Sequence, residues 1–155
     1  MKISTKGRYS VTALYELALR YGEGATSLKA ISQKQGVSES YLEQLMGSLR
    51  KAGLVKSIRG AQGGYMLAKP PCSITVGEII TAVEGPIALV NCLLDDADKD
   101  NQYCDRAGSC VTRGVWAKVC DSITKVLESI TLKDLCEDNS QEPDVGWEER
   151  IGCGK

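Results

Sequence analysis

Residues 37–67, VSESYLEQLMGSLRKAGLVKSIRGAQGGYML, constrain the fold more than any other stretch of the chain. Leu42, Leu45, Met46 and Leu49 recur at i, i+3, i+4 and i+7, which puts one apolar stripe along a helix. Ser40, Tyr41, Glu43, Gln44, Ser48 and Lys51 then face away from that stripe. Ser40 and Glu43 have the S-x-x-E spacing of a capping box, which predicts the helix start there. Residues 26–35 read as a shorter helix with Leu28 and Ile31 inward, and Gly36-Val37 supplies a turn. After the second helix, two short alternating runs flank the turn Arg59-Gly60-Ala61-Gln62-Gly63-Gly64. Helix, turn, helix and a basic, glycine-tipped hairpin is the order of a winged helix-turn-helix. In that motif the second helix enters the major groove of DNA and the hairpin reaches the flanking groove.

The whole chain has 19 Lys/Arg and 20 Asp/Glu, a formal charge of −1 that by itself argues against a nucleic-acid partner. Divided at residue 71, the balance changes. Residues 1–71 hold 11 basic and 4 acidic residues, or +7; residues 72–155 hold 8 and 16, or −8. A basic half can neutralise phosphates while an acidic half keeps the rest of the protein off the backbone. The residues expected to face DNA are Ser38, Ser40, Tyr41, Glu43, Gln44, Arg50 and Lys51 on the helix. Arg59, Gly60, Gln62, Gly63, Gly64 and Tyr65 are expected to do so from the hairpin. Glutamine can pair bidentately with adenine, and glutamate can accept from cytosine N4. Arg59 is expected in the minor groove, where narrow A·T tracts concentrate negative potential.

At 155 residues the chain suffices for one good core, or a small domain with a dimerising element. An N-terminal helix is expected over about residues 10–21, with Leu14, Leu17, Ala18 and Tyr21 inward. Lys69-Pro70-Pro71 breaks the chain. A further helix follows over residues 75–83, and Gly85-Pro86 ends it. Residues 112–130 carry Val115, Trp116, Val119, Ile123, Val126, Leu127 and Ile130 as a nearly heptad-like stripe, expected to be buried against a second copy of the chain. Trp116, Val119, Ile123 and Val126 would form that seam. The fold expected is therefore mainly α with a small β-hairpin wing. A winged helix-turn-helix over residues 1–71 precedes a loop and dimerisation helix over residues 72–136. Residues 137–155 form an acidic tail, expected to be disordered. No apolar run approaches the roughly 20 residues of a membrane span, and no signal-peptide pattern opens the chain. A cytoplasmic location is expected.

Seven cysteines in such a chain read as metal or redox chemistry rather than a disulfide framework. Cys92, Cys104 and Cys110 fall within nineteen residues of a polar, aperiodic loop, spaced C-x11-C-x5-C. The close C-x2-C pairs of zinc fingers are absent, and uneven spacing on a loop suits an iron–sulfur cluster. Cys110 stands where a helix N-terminus favours the ligating thiolate. Cys72, Cys120 and Cys136 read as packing residues and Cys153 as incidental. An enzymatic role as a thiol redox catalyst is disfavoured, because the chain has neither a C-x-x-C pair nor any histidine.

Several segments together resemble the IscR-like iron–sulfur cluster regulators of the Rrf2 family of winged-helix transcription factors. They are Ser4-Thr5-Lys6-Gly7-Arg8-Tyr9, Ser40-Tyr41-Leu42-Glu43-Gln44-Leu45, Arg59-Gly60 to Gly63-Gly64-Tyr65, and Cys110-Val111-Thr112-Arg113-Gly114-Val115-Trp116. Ile130-Thr131-Leu132 completes the match, which runs from Met1 to about Leu135. The resemblance implies a homodimer on double-stranded operator DNA, holding a 2Fe–2S cluster through Cys92, Cys104 and Cys110 and tuning cluster-assembly genes. A sister type in the family, which controls cysteine metabolism through a protein partner and holds no cluster, is the alternative. Two departures stand out. The gap between the first two cysteines is about six residues longer than the family's usual five. The family's histidine ligand, three residues after the last cysteine, is here Arg113, which cannot give up its proton to bind iron. Arg8 stands where nitric-oxide-sensing relatives have an aspartate. The fourth ligand is open: an acidic side chain, with Glu43 and Asp105 as candidates, another cysteine, or a small exogenous thiol.

Overall fold

The computed structural model describes residues 3–94, 104, 106 and 108–139. Among them are six α-helices and one two-stranded antiparallel sheet. Helix α1 spans Thr5–Leu19, α2 Leu28–Gln35 and α3 Glu39–Lys51; strands β1 (Val55–Ile58) and β2 (Gly64–Leu67) follow. After a 3-10 turn at Pro71–Ser73 come α4 (Val76–Glu84), a second 3-10 turn at Asn91–Leu93, α5 (Arg113–Ser129) and α6 (Leu132–Asn139). This is the winged helix-turn-helix expected, carried further by three C-terminal helices.

Helix starts are fixed by short polar side chains that accept from otherwise orphaned amides. Ser4 accepts from the Gly7 amide, so α1 begins near residue 5 rather than 10. The sequence pattern missed this turn because Lys6 and Arg8 are exposed there and give no apolar period. Ser38, not Ser40, caps α3, accepting from the Tyr41 amide at 3.2 Å. The Ser40–Glu43 capping box is therefore corrected: both residues already lie inside the helix, on its exposed side. Thr75 and Glu78 do make a full capping box at α4.

Leu42, Leu45, Met46 and Leu49 are buried as their spacing requires, against Ala13, Leu14 and Leu17 of α1 and Ile31 of α2. Ile74, Ile79, Val83, Leu132 and Cys136 belong to the same cluster. The core is thus continuous across residue 71, because α4 and α6 pack back on α1. Helix α6 had no counterpart in the sequence reading. Its start is held by a reciprocal pair: the Thr131 amide and hydroxyl donate to Asp134 Oδ2, each at 2.7 Å, and the Asp134 amide donates to Thr131 Oγ1. Of the acidic tail, residues 140–155 lie outside the described residues. Cys120 and Cys136 are buried, as packing residues should be, whereas Cys72 is half-buried and disulfide-bonded, which corrects its reading as a packing residue. No helix among the described residues is long and apolar enough to cross a membrane.

Candidate nucleic-acid interface and cysteine pocket

Burying one stripe of α3 leaves Ser38, Ser40, Glu43, Gln44, Arg50 and Lys51 exposed on the other face. Tyr41 is half-buried, and its ring meets Tyr9 of α1 edge-on, with centroids 6.0 Å apart and planes at 85°. Tyr9 was not singled out from sequence. It sits on α1, and only the crossing of two helices brings it to the start of α3. Arg50 Nη1 reaches across to Ser57 Oγ of β1 at 3.4 Å, tying the end of α3 to the wing.

In the wing, Val55 pairs with Leu67 and Ile58 with Gly64, and residues 59–63 form the connection. Arg59, Gly60 and Gln62 are exposed there. Tyr65 extends the sheet by exchanging two backbone hydrogen bonds with Thr26, Thr26 N to Tyr65 O at 2.8 Å and Tyr65 N to Thr26 O at 2.9 Å. A Cβ at Gly64 would run into the Thr26 carbonyl oxygen, and one at Gly63 would meet the Ile58 carbonyl. These two glycines are thus required by the protein's own backbone packing, rather than only for approach to phosphate. Tyr65 is half-buried.

The C-terminal half brings Cys92, Cys104 and Cys110 to one open pocket of about 480 Å³, lined also by Val90, Asn91, Thr112 and Trp116. All three thiols are free. Among the described residues, no three His, Cys, Asp or Glu side chains converge as a single metal ion needs. Helix α5 starts at Arg113, three residues after Cys110. The Cys110 thiol titrates below its ordinary range, first because of the Thr112 hydroxyl 3.3 Å away, then because of the Thr112 and Arg113 amides and the Arg113 charge. The shift has the direction expected at this helix start, and the Thr112 hydroxyl leads it. Arg113 Nε donates to the Cys92 carbonyl at 3.2 Å. Glu43 does not line the pocket, and Asp105 lies outside the described residues.

From the pocket α5 runs along α4, where Gly77 lets it approach closely at Leu127 and Glu128. Only Cys120 of α5 is buried. Val115, Trp116, Val119 and Val126 remain 38–57% exposed along α5. Ile123, expected in the same seam, is half-buried.

Residues 3–138 match the Rrf2 family, described as "Iron-dependent Transcriptional regulator". The chain belongs to the Rrf2 family. It is 49% identical over 144 residues to the HTH-type transcriptional regulator CymR of Bacillus subtilis (strain 168), across 92% of this chain and 96% of the relative. It is 42% identical over 142 residues to the HTH-type transcriptional regulator IscR of Escherichia coli O1:K1, across 92% and 83%. Among solved structures, B. subtilis CymR, described as the global cysteine regulator, superposes with a TM-score of 0.71 at 47% identity, covering 90% of this chain and 98% of that one. T. potens IscR gives 0.71 at 46% identity, covering 96% of each. The chain is accordingly a transcription regulator and not an enzyme, and the winged-helix fold is that of its relatives.

Proposed function

We propose that this Rrf2 regulator binds operator DNA as a homodimer and reports iron–sulfur supply through a 2Fe–2S cluster, controlling genes for cluster assembly. The observation that carries the reading is the shared pocket of Cys92, Cys104 and Cys110 beside the start of α5. The pocket adjoins the helix whose exposed stripe would join two copies, so gain or loss of the cluster would reset the spacing of two α3 helices on DNA. The test is anaerobic reconstitution with iron and sulfide. Visible sulfur-to-iron bands, lost in each of Cys92→Ala, Cys104→Ala and Cys110→Ala together with a change in operator affinity, support it. Full iron content in all three variants refutes it.

The similarity to CymR, whose structure is described as that of a cysteine regulator, favours a second reading. In it the chain is a cluster-free regulator of cysteine metabolism acting through a protein partner. Protein that stays colourless after reconstitution selects this reading.

A further inference from the structure

We infer that Glu84 is a positioning residue for DNA reading: its carboxylate holds Ser4 and the first turn of α1, which keeps Tyr9 against Tyr41 at the start of α3. The inference rests on DNA binding through α3 and holds under either reading of the cysteine pocket. Ser4 Oγ donates to Glu84 Oε1 at 2.8 Å and accepts from the Gly7 amide at 3.1 Å. One hydroxyl thus caps α1 and joins it to the last residue of α4. Each bond polarises the other, and the carboxylate lies at the positive end of the α1 dipole. Gly7 makes the approach possible, because a Cβ there would run into Glu84 Oε1 and meet Ile80 Cδ1 at 3.0 Å. Burial of Ile80 and Val83 seats α4, whereas Glu84 itself is exposed. Packing alone would leave its carboxylate to water, and the bond to Ser4 is what fixes it.

Two residues beyond Gly7, Tyr9 meets Tyr41 edge-on, with centroids 6.0 Å apart. Both rings are half-buried and pack on the core. Tyr41 belongs to the first turn of α3, and its amide donates to the Ser38 cap. Ser40, Glu43 and Gln44 stand exposed beside it. A binding constellation keeps its geometry through neighbours whose own side chains are locked in place. Glu84, Ser4 and Tyr9 are that support, and through them the C-terminal half takes hold of the reading helix.

Full-length wild type and variants, prepared alike, are titrated on two duplexes. One is selected by the wild type from a random-sequence library, and the other is a scrambled duplex of the same composition. The readout is the ratio of the two affinities, since a change in net charge or in folded fraction moves both alike. Glu84→Ala is expected to lower the ratio about three- to tenfold, the scale of one hydrogen bond to a charged group at an exposed site. Glu84→Gln removes the same charge but retains an acceptor for Ser4, so it keeps most of the ratio. Tyr9→Ala also lowers the ratio. The double variant Glu84→Ala/Tyr9→Ala loses no more than the larger single loss, because both act through Tyr41. Circular dichroism sets a temperature at which every variant is folded. An unchanged ratio in Glu84→Ala, an equal loss in Glu84→Gln, or additive losses in the double variant overturns the inference. Tighter binding of both duplexes by Glu84→Ala and Glu84→Gln alike also overturns it, as the carboxylate then acts only by repelling phosphate. Gln44→Ala tests the α3 reading separately. A lowered ratio there with none in Glu84→Ala overturns this inference alone, and a lowered ratio in neither overturns both.

Discussion

Arg113 donates from Nε to the carbonyl oxygen of Cys92 at 3.2 Å, so the residue three places beyond the third cysteine holds the turn that carries the first. The bond joins residues 21 positions apart in sequence and ties the Cys92 turn to the first residue of α5. A side chain that cannot ligate iron thus has a structural task at the cysteine pocket.

Replacing Arg113 by histidine exchanges that tie for an imidazole. Reconstituted Arg113→His is expected to hold its cluster longer than wild type in thiol-free buffer, because a nitrogen ligand then comes from the chain itself. The decay of visible absorbance under anaerobic conditions measures this. Faster decay would show that the tie to Cys92 matters more than the added ligand.

On the exposed face of α3, Gln44 and Glu43 are free of the core and can differ between operators only through the bases they meet. Gln44→Ala should weaken specific binding by about tenfold or more, the roughly 1–3 kcal/mol of a good base contact. Glu43→Ala should broaden sequence preference, since a carboxylate near phosphates repels wherever cytosine is not offered. Titrations on wild-type and single-base-substituted operators read both effects. Unchanged affinity and selectivity would remove α3 from the major groove.

The exposed stripe on α5 gives a third test. Val119 is 38% exposed and belongs to no part of the hydrophobic core, so a charge there leaves that core intact. Val119→Asp should yield a folded monomer with weak, strongly salt-dependent DNA binding. Sedimentation checks the mass and circular dichroism the fold. A stable dimer would place the seam on another face.

Legibility of the sequence followed the physics of each part. The α3 stripe was readable because four buried residues recur with helical period on one element. The start of α3 was misplaced because Ser38 and Ser40 are both competent caps and only the backbone geometry chooses between them. Helix α6 was missed because its eight residues contribute little periodicity, and its burial of Leu132 and Cys136 depends on α1, more than a hundred positions away. The three cysteines were readable as a set from spacing. The Arg113–Cys92 tie and the Tyr9–Tyr41 contact were not, since both join elements whose approach is set by packing.

Gly64 tests the wing directly. With the Thr26 carbonyl oxygen where a methyl group would lie, Gly64→Ala must push β2 off Thr26 and break the paired hydrogen bonds of Tyr65. A loss of about 1–3 kcal/mol in unfolding free energy is expected, with weaker DNA binding through a displaced Arg59. Gly24, whose Cβ position is open but whose φ is +103°, should cost less in space and only in backbone strain. If Gly64→Ala matches wild type in denaturant, the wing is looser at Thr26 than its hydrogen bonds imply.

The Thr131–Asp134 pair that starts α6 gives a pH-dependent prediction whose sign is fixed by geometry. The Asp134 carboxyl titrates below its ordinary range, first because the Thr131 hydroxyl donates to it and then because the Thr131 amide does. The unfolded chain therefore binds this proton more readily than the folded one. The pair's contribution is fully present above the unfolded carboxyl value of about 3.9, and is lost as pH falls through the lower folded value. Thr131→Ala removes the leading cause and the cap on the Asp134 amide together. At neutral pH the variant should be less stable by about 1–2 kcal/mol, as for other lost helix caps. Under acid conditions the gap should narrow to the contribution of the cap alone. Urea unfolding at neutral and acid pH measures both values, and a gap that stays constant or widens in acid would show that Asp134 does not depend on Thr131 for its charge.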